Sequence, residues 1–338
     1  MHPHTRRNVL TVLKIALAIA ILVYLVFQAR DPIAKLSRQT IEWQFLAAAL
    51  VCSLIATGLS FVRWHILIRA LDMDMRLVDS LRLGALGFAL NFVSPGSIGG
   101  DFFKAIFLAH GHPGKRTEAV ATVVADRVAG LLTMLALACV GILVTGMLHT
   151  GPPWLRVLCQ SILVATAISW IGFLLIIFLG GRAGTRIRNV AEKIPVVGKT
   201  IARLLGAVDV YRSRKRMLLG AFGVSVVMAL GFVTTFYLVA RGLPIHEPTW
   251  SEHLVIAPVA SLVGAIPLTP SGLGTTELAI EKLYSAMPGG VPDDGTLVGL
   301  GRRATDLVVA FIGLGFYLSH RREVDEVFAE AEQEADAE

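Results

Sequence analysis

The stretch Asn91-Phe-Val-Ser-Pro-Gly-Ser-Ile-Gly-Gly-Asp101 interrupts an apolar region of the chain with a proline, three glycines and a carboxylate. A second stretch in the other half, Pro267-Leu-Thr-Pro-Ser-Gly-Leu-Gly-Thr-Thr-Glu277, repeats this order and also leads into a new apolar run. Proline lacks a backbone donor and glycine permits tight turns, so each stretch predicts a break in a helix. At membrane depth, such breaks occur where they are packed in protein or line a cavity. Two breaks, one in each half, therefore predict a transport site between two repeats.

The composition predicts an all-α polytopic membrane protein. Of the 338 residues, 54% are hydrophobic and 17% are charged, whereas soluble domains carry about 25% charged residues. Apolar runs of about 20 residues, long enough for a membrane-spanning helix, recur along the chain. The net charge of +6 is carried by bases in short loops between these runs. That placement favours orientation at an anionic membrane surface over nucleic-acid binding.

The apolar runs predict about six full spans and two pairs of shorter helical arms. The full spans are expected at residues 9–27, 41–62, 119–148, 155–179, 218–240 and 297–318. The arms that flank the two breaks are expected at residues 79–92, 102–108, 253–266 and 273–287. These arms are short for an independent crossing of about 30 Å, so each pair predicts a re-entrant helical hairpin. The loop after the second span is expected to contain Arg63, Arg69, Arg76 and Arg82.

The distribution of basic residues predicts opposite orientations for the two hairpins. Bases are concentrated at both ends of the membrane region, in the loop after the second span, at residues 115–116 and across residues 182–216. If these segments and both termini are cytoplasmic, the first hairpin enters from the cytoplasm and the second from outside, which is an inverted repeat. Residues 1–322 are thus expected to form the membrane domain, with 182–216 as a basic cytoplasmic segment containing an amphipathic helix. Residues 323–338 hold eight acids and no base, and are expected to form a flexible cytoplasmic tail.

Charged residues follow each hairpin near the start of the next span. They are Asp126 and Arg127 after the first hairpin, and Arg302, Arg303 and Asp306 after the second. A charge within a bilayer costs about 2.5–3.5 kcal/mol, so these side chains are expected to face a partner or a water-filled cavity. Arg302 and Asp306 are four residues apart and can pair along a helix. The adjacent Asp126 and Arg127 point about 100° apart and need not pair with each other.

This combination of residues suits the phosphate of a lipid head group. An arginine binds phosphate bidentately, and a glycine-rich turn before a helix presents backbone N–H groups to an anion. Asp101 and Glu277 have two interpretations: they cap helices and pair with arginines, or they carry protons. The predicted lipid-binding residues are Asn91, Pro95, Gly96, Gly99, Gly100, Asp101, Lys104, Asp126, Arg127, Pro270, Gly272, Gly274, Glu277, Arg302, Arg303 and Asp306.

These motifs resemble the lysylphosphatidylglycerol synthase transmembrane-region family, which is also described as flippase-like. The resemblance extends from the first predicted span to Arg322 and implies the movement of a lipid between leaflets. Complete synthases of that family carry an aminoacyl-transferase domain after the membrane region. No such domain follows before Glu338, so synthase activity is not expected. Lys104 stands where the family usually has arginine, and Ser271 where it usually has glycine.

The leading hypothesis is a multi-pass lipid transporter of the bacterial inner membrane. Its substrate would be a phospholipid, a modified phospholipid or a polyprenyl-linked lipid. The sequence has no nucleotide-binding, metal-binding or catalytic motif, so no enzyme activity, cofactor or metal is predicted and transport would be downhill or ion-coupled. The alternative is a non-transporting, lipid-binding partner of a lipid- or glycan-modifying enzyme, with residues 182–216 and 323–338 as docking surfaces. A homo-oligomer is compatible with both hypotheses.

Overall fold

The computed structural model describes residues 40–91, 99–178, 211–266 and 271–319, and the regular secondary structure in these ranges is helical. The helices are α1 (Trp43–Ala70), α2 (Leu77–Asn91), α3 (Gly99–His110), α4 (Arg116–Thr145), the short α5 (Met147–Thr150), α6 (Pro153–Phe178), α7 (Lys215–Gly242), α8 (Trp250–Ala265), α9 (Thr275–Ser285) and α10 (Asp294–Ser319). The prediction of an all-α chain is confirmed for these residues.

Within the described ranges, four helices are long and apolar enough to cross a membrane: α1, α4, α6 and α7. The chain is therefore embedded in a membrane. Helix α10 is also long, with 26 residues, but it carries the charged residues Arg302, Arg303 and Asp306. The predicted first span at 9–27, the acidic tail at 323–338 and most of the basic segment lie outside the described residues, so the number of spans and the domain boundaries remain predictions.

The predicted end of the second span at residue 62 is wrong. Helix α1 continues for two more turns, so Arg63 and Arg69 lie in a helix and not in a loop. Arg82 also lies in a helix, α2, and only Arg76 of the four predicted loop arginines lies between the two helices. The reason for the longer α1 is packing: Trp64 and Ile68 have no exposed surface. The Arg63 guanidinium is tolerated in this buried segment because it pairs with Asp126, which removes the penalty of an isolated buried charge.

Helices α1 and α7 form the most extensive helix pair among the described residues. Each has 28 residues, and the two pack together along their length. Residues further along α1 contact residues earlier in α7, so the two helices are antiparallel. The contacts that show this direction are Glu42 N to Gly242 O at 3.0 Å, Cys52 Sγ to Gly231 O at 3.2 Å and Arg63 Nη1 to Ser225 Oγ at 3.2 Å.

Helices α1–α4 and α7–α10 form two equivalent units. Within each unit, the second helix packs on the third and the third packs on the fourth. Between the units the packing is exchanged: α2 lies against α10, and α8 lies against α4. Because the first helices of the two units are antiparallel and their neighbours correspond, the units run in opposite directions. Neither unit could form this arrangement alone.

Close backbone packing joins the two arms of each hairpin. In the first hairpin, the Asn91 side chain accepts a hydrogen bond from the Gly100 N–H at 2.9 Å, and Gly100 lies directly against the backbone of Gly87. In the second, Gly272 has a φ of +65° and a Cβ there would lie 2.7 Å from the Gly264 carbonyl oxygen. Glycine is required at both contacts because a side chain would push the arms apart.

Gly100→Ala is expected to destabilise the fold because the new Cβ would overlap the Gly87 carbonyl oxygen. Forcing extra volume into a packed site costs about 1–3 kcal/mol, so the midpoint of thermal unfolding in detergent should fall by several degrees. Gly223→Ala in α7 is the matched control, since nothing lies within 4 Å of a Cβ at that position. Equal unfolding midpoints for the two variants would contradict the close contact between the arms.

Candidate functional site

A cavity of about 1460 Å³ lies between the two units, and all eight of their helices contribute to its wall. Nine of the predicted lipid-binding residues line it: Asn91, Asp101, Lys104, Asp126, Arg127, Glu277, Arg302, Arg303 and Asp306. Residues that are more than 200 positions apart in the sequence thus meet in one space. This convergence follows directly from the exchanged packing of the hairpins on the opposite units.

The remaining predicted residues do not line the described wall of the cavity. Pro95, Gly96 and Pro270 lie outside the described residues. Gly99, Gly100, Gly272 and Gly274 belong to the hairpin backbone and are not among the residues that line the cavity. The N–H groups of two of these glycines already have partners in the protein, since Gly100 donates to Asn91 and Gly274 donates to Glu277.

In the first hairpin, Asp101 is the centre of a small charged group. Its Oδ2 accepts a hydrogen bond from Nε of Arg127, and its Oδ1 lies 3.7 Å from Nζ of Lys104. The Lys104 ammonium also lies 5.2 Å from the centre of the Trp64 ring, a distance at which a cation is attracted to the ring face. The Arg127 side chain is 49% exposed, so it presents a cation to the cavity.

In the second hairpin, Glu277 occupies the corresponding place in the first turn of the second arm. Arg303 donates from Nε and Nη2 to Oε1 of Glu277 at 3.0 and 2.7 Å. Arg303 Nη1 also donates to the carbonyl oxygen of Ser271 at 3.1 Å. The second carboxylate oxygen of Glu277 accepts from the Gly274 N–H at 2.7 Å, so this pair ties the hairpin turn to α10.

Arg63 is a cavity residue that the sequence prediction missed. Its Nε lies 2.7 Å from Oδ1 of Asp126, and both side chains are almost fully buried. The one sequence signal for its position is the helical spacing of apolar residues, which continues past residue 62 through Leu67 and Ile68 and extends the helix over Arg63. The pair links α1 to α4 within the first unit, and the hydrogen bond from Arg63 to Ser225 extends the link to α7.

Arg302 faces the cavity from the second unit. It pairs with Asp306 on the next helical turn, as the spacing of four residues predicts. Its guanidinium carbon also lies 5.5 and 5.6 Å from the ring centres of Phe232 and Phe236. Among the described residues, its buried Nε has no hydrogen-bond partner.

The charges in the cavity are mostly balanced, with an excess of positive charge. Six lysine or arginine side chains and four carboxylates line the described wall. Arg116, one of the six, is exposed at the start of α4. Paired charges are tolerated in an apolar surrounding, and the positive excess favours an anionic ligand over a neutral or cationic one.

An apolar stripe continues the cavity wall outward along α4. Val120, Val124, Val128 and Leu131 all line the cavity and all remain exposed. They recur at helical spacing on one face, and Phe102 of α3 is also exposed beside the cavity. The site therefore combines a charged interior with an apolar edge. No group of three or more metal-ligating side chains occurs among the described residues.

The fold and the cavity define a polytopic helical membrane protein made of two oppositely directed units around a charged site. The chain belongs to the family described as the lysylphosphatidylglycerol synthase TM region, whose model matches residues 11–313. The resemblance seen in the sequence motifs is thereby confirmed.

Two relatives are proteins described as UPF0104 membrane proteins. The one from Methanocaldococcus jannaschii is 22% identical over 344 residues, covering 95% of this chain and 97% of the relative. The one from Methanothermobacter thermautotrophicus is 25% identical over 256 residues, covering 71% of this chain and 75% of the relative. The similarity therefore extends over most of the membrane region.

Removing either member of the Arg63–Asp126 pair is expected to destabilise the protein strongly. Arg63→Met or Asp126→Leu alone leaves a buried charge without its partner, which costs about 3–5 kcal/mol. The double variant removes both charges, so its loss in unfolding free energy should be well below the sum of the two single losses. Denaturant unfolding in a fixed detergent measures all three values. Strict additivity would show that the two side chains do not interact.

Proposed function

We propose that the chain is a lipid transporter that moves a head group between leaflets through the charged cavity. The substrate is a phospholipid, a modified phospholipid or a polyprenyl-linked lipid with an anionic head group. The observation that carries this proposal is the charged cavity between two oppositely directed units, open along an apolar stripe. The protein acts as a transporter and not as an enzyme, in the inner membrane of a bacterium.

The size and the lining of the cavity support a lipid as the ligand. Typical small-molecule pockets measure about 300–1,000 Å³, and the cavity of about 1460 Å³ exceeds that range. The cationic side chains suit a phosphate, whereas the exposed stripe from Val120 to Leu131 suits acyl or prenyl chains that remain in the bilayer. Membership of a lysylphosphatidylglycerol synthase family also supports a lipid-related role.

The two oppositely directed units support alternating access. Inverted repeats allow a transporter to adopt two conformations that open a central site to opposite sides. In the present structure the cavity reaches His110, Pro113 and Arg116, at the end of α3 and the start of α4. The residues at the start of α10, such as Asp294, do not line it. The cavity is thus open at one end, which we assign to the cytoplasmic side.

We extend this assignment to the whole membrane topology that the sequence predicts. The two hairpins are re-entrant, about six helices cross the membrane, and both termini are cytoplasmic. The α3–α4 loop then faces the cytoplasm and the α9–α10 loop faces outside, although both follow a hairpin. Transport is downhill or coupled to an ion.

Cysteine labelling of the two loops tests this topology. In a variant without the three native cysteines, Gly111→Cys and Val291→Cys place one thiol in each loop at an exposed position. A membrane-impermeant maleimide added to intact cells is expected to label Val291→Cys only, and Gly111→Cys only after lysis. Labelling of both positions from the same side would contradict the inverted arrangement.

Lipid translocation in proteoliposomes tests the function itself. Fluorescent phosphatidylglycerol and a polyprenyl phosphate are assayed separately by accessibility of the head group to an impermeant quencher. Arg127→Ala and Glu277→Gln are expected to slow translocation at least tenfold, because one removes the exposed cation and the other breaks the support of the second hairpin. Arg241→Ala is the matched control, since this exposed arginine pairs with Glu247 at 3.8 Å outside the cavity.

The control variant should transport within about twofold of the wild type, since its charge lies outside the proposed path. Wild-type rates no higher than those of protein-free liposomes, for both lipids, would contradict transport. Head-group binding without translocation would instead favour the lipid-binding partner of a modifying enzyme.

A further inference from the structure

The two hairpins carry ion pairs at equivalent positions but in different surroundings. Each pair joins the first turn of the hairpin's second arm to the following helix, and each spans 26 residues of sequence, Asp101 to Arg127 and Glu277 to Arg303. If the units were functionally equal, the two pairs would have similar exposure and partners. They do not, and the difference shows which one can respond to a ligand.

The Glu277–Arg303 pair is fixed by its bonding. The side chains are only 2% and 9% exposed. Glu277 accepts on both oxygens, and Arg303 also donates to the Ser271 carbonyl oxygen. Three residues after Glu277 stands Ile280, a buried apolar side chain. If Arg303 left, Glu277 would lose its only described cationic partner, which is strongly unfavourable for a buried carboxylate.

The Asp101–Arg127 pair has a second cation beside it. Three residues after Asp101 stands Lys104, in the position equivalent to Ile280, and its Nζ lies 3.7 Å from Asp101 Oδ1. Lys104 is buried and has no closer carboxylate among the described residues. Arg127, by contrast, is 49% exposed and lines the cavity. Asp101 therefore keeps a positive partner if Arg127 turns to a ligand.

We propose, on the basis of the transport function proposed above, that Arg127 is the arginine that binds the lipid phosphate and that Lys104 replaces it at Asp101. The exchange releases one arginine, whose positive charge is balanced by a ligand with one negative charge. The ligand is therefore a phosphodiester head group. The Arg303–Glu277 pair stays intact throughout and holds the second hairpin. The pseudo-symmetric site thus has one binding half and one fixed half. Lys104 is a positioning residue, because it acts through Asp101 and Arg127.

Equilibrium binding of a short-chain phosphatidylglycerol to the detergent-solubilised full chain tests this exchange. Lys104→Met is expected to raise the Kd at least tenfold, because Asp101 then has no replacement for Arg127 and retains it. Asp101→Asn should lower the Kd several-fold, since it removes the carboxylate that competes for Arg127. Lys104→Arg keeps the charge and should stay within about threefold of the wild type. Glu277→Gln should not tighten binding.

The double variant distinguishes exchange from simple attraction of the ligand by the ammonium. If Lys104 acts through Asp101, Lys104→Met in the Asp101→Asn background should change the Kd by less than about threefold. An equal effect of Lys104→Met in both backgrounds would overturn the exchange and leave the transport proposal intact. Absence of phosphatidylglycerol binding by the wild type would overturn the exchange, whereas transport is contradicted only if neither phosphatidylglycerol nor the polyprenyl phosphate is translocated. Thermal unfolding midpoints confirm that each variant compared is folded.

Discussion

Charge burial in an apolar surrounding is the constraint on which the rest of the structure depends. A cation in the cavity is stable only where a carboxylate or an aromatic face lies within reach. The hairpin acids Asp101 and Glu277 meet this need by pairing with arginines of the following helices. The Glu277–Arg303 pair also fixes the second hairpin to α10, whereas the Asp101–Arg127 pair joins the first hairpin to α4 through a half-exposed arginine. Site chemistry and fold stability therefore depend on the same side chains.

The antiparallel packing of α1 on α7 explains why the site belongs to both units. With α1 and α7 packed antiparallel, the first arm of each hairpin packs on the last helix of the other unit, α2 on α10 and α8 on α4. The wall of the cavity is then made from both halves of the chain. A rearrangement of one hairpin necessarily alters the environment of the other half. This is the mechanical property that a transporter with two access states requires.

Local patterns predicted much of this arrangement. Apolar period and length located the helices, and the spacing of Arg302 and Asp306 predicted their pair. The family resemblance also followed from the repeated motifs. The partner of Asp126 was not predictable, because Arg63 is 63 residues away and a base after an apolar run resembles a loop signal. Nor could spacing show that Arg127 is exposed and Arg303 buried, since that difference arises from tertiary packing around two similar motifs.

The proposed transport depends on a lipid phosphate that enters the cavity and contacts Arg127. Electron cryomicroscopy of the protein in nanodiscs containing phosphatidylglycerol tests it most directly. Head-group density is expected between the hairpins, with a phosphate within hydrogen-bond distance of Arg127, about 2.7–3.2 Å, and with acyl chains along the stripe from Val120 to Leu131. Lipid density confined to the outer surface of the helices, with none in the cavity, would contradict it.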